Sequence, residues 1–573
     1  MASRVGTVNV QEELLVLVGF SLVAIVAVYY CRKKFKLNDV PLMPNEHVGH
    51  LRGLKRDALE DPSLEAKKWT CNICAFRNST ERPACALCCT NQMVHLLVVP
   101  EFATSDGVVS FDQLNNTQRS ARLRNQWSRQ LDDGRCCMVW KADLKTTGTD
   151  PFYVIGRPNE NSKLRILSWK PRSAGQTVMG ERVPFWWYDQ LLQLQPLGFS
   201  LKYAWLISSI AASIQSYIKM KVFRTKLFDE SVQLLSRIPR DQICSMTKIS
   251  LLGEKGIDAG GVTREWYSLL TNAILEPERG LFVTNKADRS LFINPNSAKD
   301  HGSNHLQVYH AIGRLLGKAI VDGQVLPFQF SVPLFKALLG YPVSIEDIRY
   351  LDPVVYSSLV FVRDCTSDVA ELALTFSATL DASTEVDLVP NGRAIEVTCA
   401  NKAEYIERMV QYLLFDRVAP QLEKMVQGLY DVLPQELLMP FDYKELELVL
   451  CGFAEIDVDD WKRSTNVTED LKEVAEWFWD MVEFDMTMAE REKLLQFTTG
   501  SSRVPLQGFK ALTSYDGNLC PFHLQSIPYT RGAFPRVHSC FNRIDLPVYP
   551  NRTLLREGIL VLLQINDAEF TMA

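Results

Sequence analysis

The chain opens on an uncharged apolar run, LLVLVGFSLVAIVAVYY, from Leu14 to Tyr30. Its 17 residues make about 26 Å of helix at about 1.5 Å per residue, enough to cross a thin bilayer. Glu12 and Glu13 precede the run and Arg32, Lys33, Lys34 and Lys36 come after it, the reverse of a cleaved secretory signal. The pattern predicts one N-terminal transmembrane helix over residues 14–30, with its basic flank and the remaining chain on the cytosolic side. Residues 31–64 include KLNDVPLMPNEHVGH, Pro-rich and polar without a helical period, and read as a linker.

From 93 to 199 short apolar pieces such as HLLVVP, CCMVW and PFYVIG alternate with Gly, Asn, Asp and Thr. That rhythm predicts a β-rich region of strands and turns, to which no chemistry attaches; Trp127 and Trp140 within it read as packing residues. LKYAWLISSIAASIQSYIKM, within 200–221, is apolar but interrupted by Lys202 and Lys219, so it predicts a helix packed on the lobe C-terminal to it rather than a second span. From Val222 helical periods dominate, as in LQVYHAIGRLLGKAIVDG. After Asp459 the pattern is mixed, with one helix around LKEVAEWFWDMVEFDM and strand-like pieces through to GILVLLQIND. The fold class is therefore multidomain α+β, with a mostly α lobe from Val222 and a smaller α/β lobe after Asp459.

A chain of 573 residues has room for several cores. Its net charge of −5 offers no basic field for a phosphate backbone, so nucleic acid is not expected as a partner. The 14 cysteines are unevenly spread and do not form a secreted disulfide framework. Five lie between Cys71 and Cys89, where the spacing Cys71-x2-Cys74-x10-Cys85-x2-Cys88 predicts one structural Zn2+ in a small ribbon over 65–92. Cys89 is surplus to the set. The segment resembles zinc fingers of the Ran-binding-protein type, including Trp69 before the first ligand and Asn78 after the second. Some members of that family bind ubiquitin through a Thr-Phe pair and an apolar residue before the fourth cysteine. The matching positions are Ala75, Phe76 and Leu87, so ubiquitin binding and a purely structural finger both stay open.

Near the C-terminus, FPRVHSCFNRIDLP sets Cys540 among Arg536, His538, Ser539, Asn542 and Arg543. Nearby positive charge favours a thiolate, which marks a possible nucleophile, although a buried inert thiol is the other reading. A hydrolase would also need a general-base histidine, and His301, His305, His310 and His523 are the candidates.

HSCFNRIDLP resembles the active-site motif of the HECT ubiquitin ligases. The resemblance runs from Val222 to Ala573 through GEKGIDAGGVTREWYSLL, NPNSAKDHGSNHLQVYHAIGRLLGKAIVDG, VPNGRAIEVT, IDVDDWK and LLQFTTGSSRVPLQGF. It implies a bilobal unit, with a mostly α N-terminal lobe over 222–463 that docks a ubiquitin-conjugating enzyme and a mobile α/β C-terminal lobe over 464–573 that carries the cysteine, hinged near Arg463 to Val467. It implies that Cys540 accepts ubiquitin as a thioester and passes it to lysine of a protein substrate without a catalytic cofactor. Val355, Leu359, Tyr405 and Met409 match the family's groove for the conjugating enzyme, and Phe570 matches a phenylalanine that helps the C-terminal lobe engage. His538 is a possible support for the active-site loop, as is Asp545. Ser539 and Val537 replace the usual threonine and a common alanine, and Ala573 stands where some branches have an acidic residue. The joint expectation is a single-pass membrane ligase facing the cytosol from the endoplasmic reticulum or another endomembrane, with ubiquitin, conjugating enzyme and substrates as partners. A catalytically dead scaffold and a ubiquitin hydrolase are the rivals.

Overall fold

A computed structural model describes residues 68–80, 82–96, 108–132, 137–142, 150–170, 177–181, 183, 185–214, 217–253, 261–285, 288–381, 384–453, 456–506, 508–512 and 519–564. The apolar run 14–30, the linker 31–64 and Phe570 lie outside them. Among the described residues no helix is long and apolar enough to cross a membrane.

The ribbon begins with the antiparallel pair β1 (Lys68–Thr70) and β2 (Arg77–Ser79). Next come β3 (His95–Leu96) alongside β4 (Val108–Val109), helix α1 (Asn116–Leu123), and two antiparallel pairs. These are β5 (Trp127–Asp132) with β6 (Cys137–Ala142), and β7 (Tyr153–Gly156) with β8 (Arg165–Ser168). Asn115 caps α1 by accepting the Gln118 amide, and the Gln118 side chain returns the bond to Asn115 N–H, which fixes where the helix starts. Trp127 packs edge-on against Trp169 and Trp140 against Tyr341, so both tryptophans are core residues.

Helices α2 (Phe185–Leu194) and α3 (Phe199–Ser213) are next. The helix expected over 200–221 stops at Ser213, and Tyr217–Val222 is strand β9, parallel to β10 (Met246–Leu251) across helix α4 (Leu227–Arg237). In β9 Met220 and Val222 are buried while Lys219 and Lys221 are exposed. The lysine that looks like an interruption in a helix is the outer face of a strand.

Helix α5 (Gly261–Leu275), the pair β11 (Phe282–Thr284) and β12 (Leu291–Ile293), and α6 (Ser297–His301) lead into α7 (His305–Val321), the centre of the larger lobe. Then come α8 (Val332–Leu339), α9 (Pro353–Asp364), the hairpin β13 (Ser377–Asp381) and β14 (Thr384–Asp387), α10 (Lys402–Leu414), α11 (Ala419–Val432) and α12 (Tyr443–Cys451). α7 crosses α11 at glycines: a Cβ on Gly313 would lie 2.0 Å from the Met425 carbonyl oxygen. Only hydrogen at that position lets the backbones approach so closely. Together α9, the β13–β14 hairpin and α10 enclose a core of their own, so the lobe comprises a main body and a small subdomain.

The smaller lobe contains α13 (Val458–Arg463), β15 (Thr465–Val467), α14 (Lys472–Asp480), α15 (Met488–Thr499), β16 (Phe522–Ile527), β17 (Arg536–His538), β18 (Arg543–Pro547) and α16 (Arg552–Gln564). Its sheet runs β15-β16-β18-β17, parallel except for β17, which is antiparallel to β18. Fully buried Trp461 stacks on Phe509 at 4.9 Å and meets Phe522 edge-on at 5.2 Å. Because α13 contributes Trp461, the packing of this lobe begins at Ile456, ahead of the 463/464 boundary read from the sequence. GILVLLQ belongs to helix α16 rather than a strand: Leu555, Ile559 and Leu562 are buried at spacings of four and three.

Candidate active site

Strands β17 and β18 form a hairpin, and Cys540 lies in the single 3-10 turn at its tip, Ser539–Phe541. Asn542 closes the turn at φ 48°, a left-handed conformation that asparagine adopts more readily than most residues. Asn542 is fully buried; its side-chain amide donates to the Cys520 carbonyl at 2.8 Å, and its own carbonyl accepts from His523 N–H at 2.9 Å. These bonds pin the cysteine turn to the start of β16. On the other side of the tip Phe541 is exposed.

The hairpin also brings His538 and Asp545 together, with Nε2 2.9 Å from the carboxylate. Arg543 adds an ion pair to Asp545, Nε 2.8 Å from one carboxylate oxygen, while Nη2 donates to the other at 3.5 Å. His538 and Asp545 therefore clamp the two strands just behind the cysteine turn. His523 lies on the neighbouring strand, where burial and then the Arg543 charge lower its pKa. The remaining candidate histidines are engaged in the larger lobe: His301 with the Arg279 carbonyl, His305 with Ser297 and His310 with Asp431. They do not join the Cys540 hairpin in a hydrolytic triad.

In the small subdomain Asp352 caps α9, accepting from Val354 N–H and Val355 N–H. The four residues matched to a docking groove do come together here, but Leu359, Tyr405 and Met409 are buried between α9 and α10, and only Val355 is half-exposed. Three of them therefore form the floor of the subdomain rather than its surface, because 355, 359 and 362 share the inward face of the helix. The outward face presents Val354 and Phe361, 74% and 60% exposed, with Ser358 between them. The sequence reading did not single out either residue; their spacing of seven, two helical turns, is the signal that places them on one face.

A second chemical cluster sits in the ribbon. The sulfurs of Cys71, Cys74, Cys85 and Cys88 are buried and lie within 4.8 Å of one another, with Cys71–Cys88 and Cys74–Cys85 both at 3.6 Å. A tetrahedral ion with metal–sulfur bonds of about 2.3 Å would set its sulfurs about 3.8 Å apart, so the four cysteines can hold a metal ion. The two knuckles repeat one geometry. Ala75 N–H bonds to Cys71 O at 2.9 Å and Cys89 N–H to Cys85 O at 2.8 Å, with Ala75 and Cys89 at φ 58° and 56°. Asn78 ties them together, donating to the Phe76 carbonyl and accepting from Ala86 N–H, while the Trp69 indole donates to Arg82 O. Phe76 and Leu87 are buried, Phe76 beside Phe199 at 6.1 Å and beneath the Arg124 guanidinium. Of the three positions matched to a ubiquitin-binding face, Phe76 and Leu87 are turned into the protein and Ala75 is exposed.

Residues 268–573, more than half of the chain, match the HECT domain, described as a ubiquitin-transferase. The chain belongs to the HECT-domain family. It is similar to the E3 ubiquitin-protein ligase HACE1 of Danio rerio, 36% identical over 396 residues that cover 68% of this chain and 42% of HACE1. It is also similar to the E3 ubiquitin-protein ligases TOM1 of Saccharomyces cerevisiae and ptr1 of Schizosaccharomyces pombe, 38% and 37% identical over 62% of this chain. The chain spans less than half of HACE1 and 11% of the other two.

Proposed function

We propose that this protein is a HECT-type E3 ubiquitin-protein ligase that accepts ubiquitin on Cys540 and transfers it to lysine of a protein substrate. The observation that carries the reading is the position of Cys540, at the tip of a pinned hairpin inside the matched domain. The Cys540 thiolate attacks the thioester that joins ubiquitin to a conjugating enzyme, forming a new carbon–sulfur bond and expelling the enzyme's thiolate. A substrate lysine amine then attacks the new thioester; the carbon–nitrogen bond forms, Cys540 leaves as thiolate and the amine gives up a proton. Val354 and Phe361 offer the apolar anchor on which a conjugating enzyme docks, with Val355 at its edge.

Direct polar links between the lobes include Arg264 to the Thr499 carbonyl and Gln496 to Ser268, both at 2.8 Å, beside a cleft of about 290 Å3. An interface with such a gap suits a smaller lobe that must meet first the conjugating enzyme and then the substrate. The four ribbon cysteines hold one structural Zn2+, and chemistry at Cys540 needs no cofactor. The run 14–30 supports action at a membrane surface, with the catalytic part cytosolic and the thin endoplasmic reticulum bilayer favoured.

The test is a complete conjugation reaction with ubiquitin, ATP, activating enzyme and a panel of conjugating enzymes. Lysine-linked ubiquitin chains are expected with the wild type and absent with Cys540→Ala. Equal product from both proteins would overturn the assignment of the nucleophile.

A further inference from the structure

We infer that the strand pairs β5–β6 and β7–β8, with Asp150, all upstream of the matched domain, are a brace that fixes how the small subdomain carrying α9 and α10 is held on the main body. The functional part of this inference rests on reading that subdomain as the docking site for a conjugating enzyme.

The chain passes from main body to subdomain through residues 339–344, at the C-terminal end of α8. The last carbonyls of a helix have no partners within it. Here Leu338 O accepts from the Tyr430 hydroxyl at 2.6 Å, Leu339 O from Arg129 Nη2 at 2.9 Å and Gly340 O from Trp140 Nε1 at 2.9 Å. The last two donors belong to the β5–β6 hairpin. Arg129 is buried, its guanidinium lies 4.2 Å from the Trp140 ring centre, and it places positive charge at a helix C-terminus, where the dipole favours it. Gly340 adopts φ +61°, and a Cβ there would meet Val178 Cγ2 at 2.7 Å and Ile155 O at 3.2 Å, so the crossing is pressed directly against the upstream segment.

Strand β7 makes the second clasp. Tyr153 and Val343 exchange both backbone hydrogen bonds, each 2.8 Å. The Tyr153 side chain enters the core of the small subdomain, while Ile155 on the same strand enters that of the main body. One strand is thereby shared between two cores. Asp150, just before it, pairs with Arg363 of α9 at 2.7 Å. A crossing bonded at its carbonyls, along its backbone and to the helix beyond it cannot swing without breaking several interactions together. The orientation of a docked conjugating enzyme towards Cys540 is accordingly set by residues that precede the match at 268.

The experiment uses the full chain with Trp140→Phe, which removes one donor and keeps an aromatic ring, at the cost of a small cavity, with Asp150→Arg, and with the charge-swapped pair Asp150→Arg/Arg363→Asp. Hydrogen exchange is read peptide by peptide. The brace predicts exchange across 341–364 faster by about fivefold or more in Trp140→Phe and Asp150→Arg, unchanged exchange in α7 and α11, and recovery in the swapped pair. Unchanged exchange across 341–364, or an equal rise in α7 and α11, would overturn it. A parallel single-turnover assay at saturating conjugating enzyme should show a transfer rate changed by about threefold or more, with binding of the uncharged enzyme held within about twofold. A wild type that forms no ubiquitin adduct contradicts the docking reading, whereas the exchange data still decide whether the brace exists.

Discussion

Asn542 holds Cys540 in place through two bonds that reach the start of β16. Replacing it with alanine leaves the Cys520 carbonyl without that donor and forces a side chain poorly suited to φ 48° into the turn. Asn542→Ala should therefore destabilise the smaller lobe by about 1–3 kcal/mol, measured by urea unfolding. Asn542→Gly, which relieves the dihedral but not the hydrogen bond, should recover only part of the loss. Full stability in the alanine variant would show that the turn is held by other means. The candidate nucleophile stands out in the sequence because its neighbours form a distinctive motif. The role of Asn542 does not, since its partner is 22 residues away and the bond exists only once β16 and β18 are side by side. Val354 and Phe361 were hidden for a different reason: hydrophobic residues on a helix look alike until the packing of α9 on α10 decides which face is inward.

Among the elements, the ribbon is joined to the body by its backbone as much as by apolar packing. Ile73 O accepts from Arg122, Cys74 O from Arg124, and Arg124 continues to Asp442, the N-cap of α12, at 2.6 Å. A metal that shapes the knuckles therefore also places the acceptors for a buried arginine. The full chain should carry one zinc per molecule by elemental analysis. Cys74→Ser or chelation should lower the melting temperature of the larger lobe by at least a few degrees, alongside loss of the ion. Loss of zinc with an unchanged melting profile would make the ribbon an independent module. The ligand spacing was plain in the sequence, but its burial against Phe199 was not, because a finger's surface shows no alternation that distinguishes a docked face from a free one. Strand β9 and helix α16 differ from the sequence expectation for related reasons. Short apolar segments fit either period, and tertiary pairing with β10 or packing under the sheet selects one.

The whole molecule combines an N-terminal apolar run, a docked ribbon, a braced larger lobe and a smaller lobe with Cys540 in the turn at the tip of a hairpin. The run 14–30 predicts that the full chain stays with membranes through alkaline carbonate; release into the supernatant would rule out the anchor. The two lobes were visible as a change of hydrophobic rhythm, while the seam near Ile456 depended on where one tryptophan packs. Passage of ubiquitin through Cys540 is the step on which every other functional assignment depends. A single-turnover pulse–chase, with conjugating enzyme already charged with labelled ubiquitin and products resolved on paired non-reducing and reducing gels, isolates that step. An adduct of chain and ubiquitin should appear as the charged enzyme is consumed, disappear on reduction and be absent in Cys540→Ala. Discharge of the conjugating enzyme to lysine with no such adduct, or an adduct that persists in Cys540→Ala, would refute passage through this thiol.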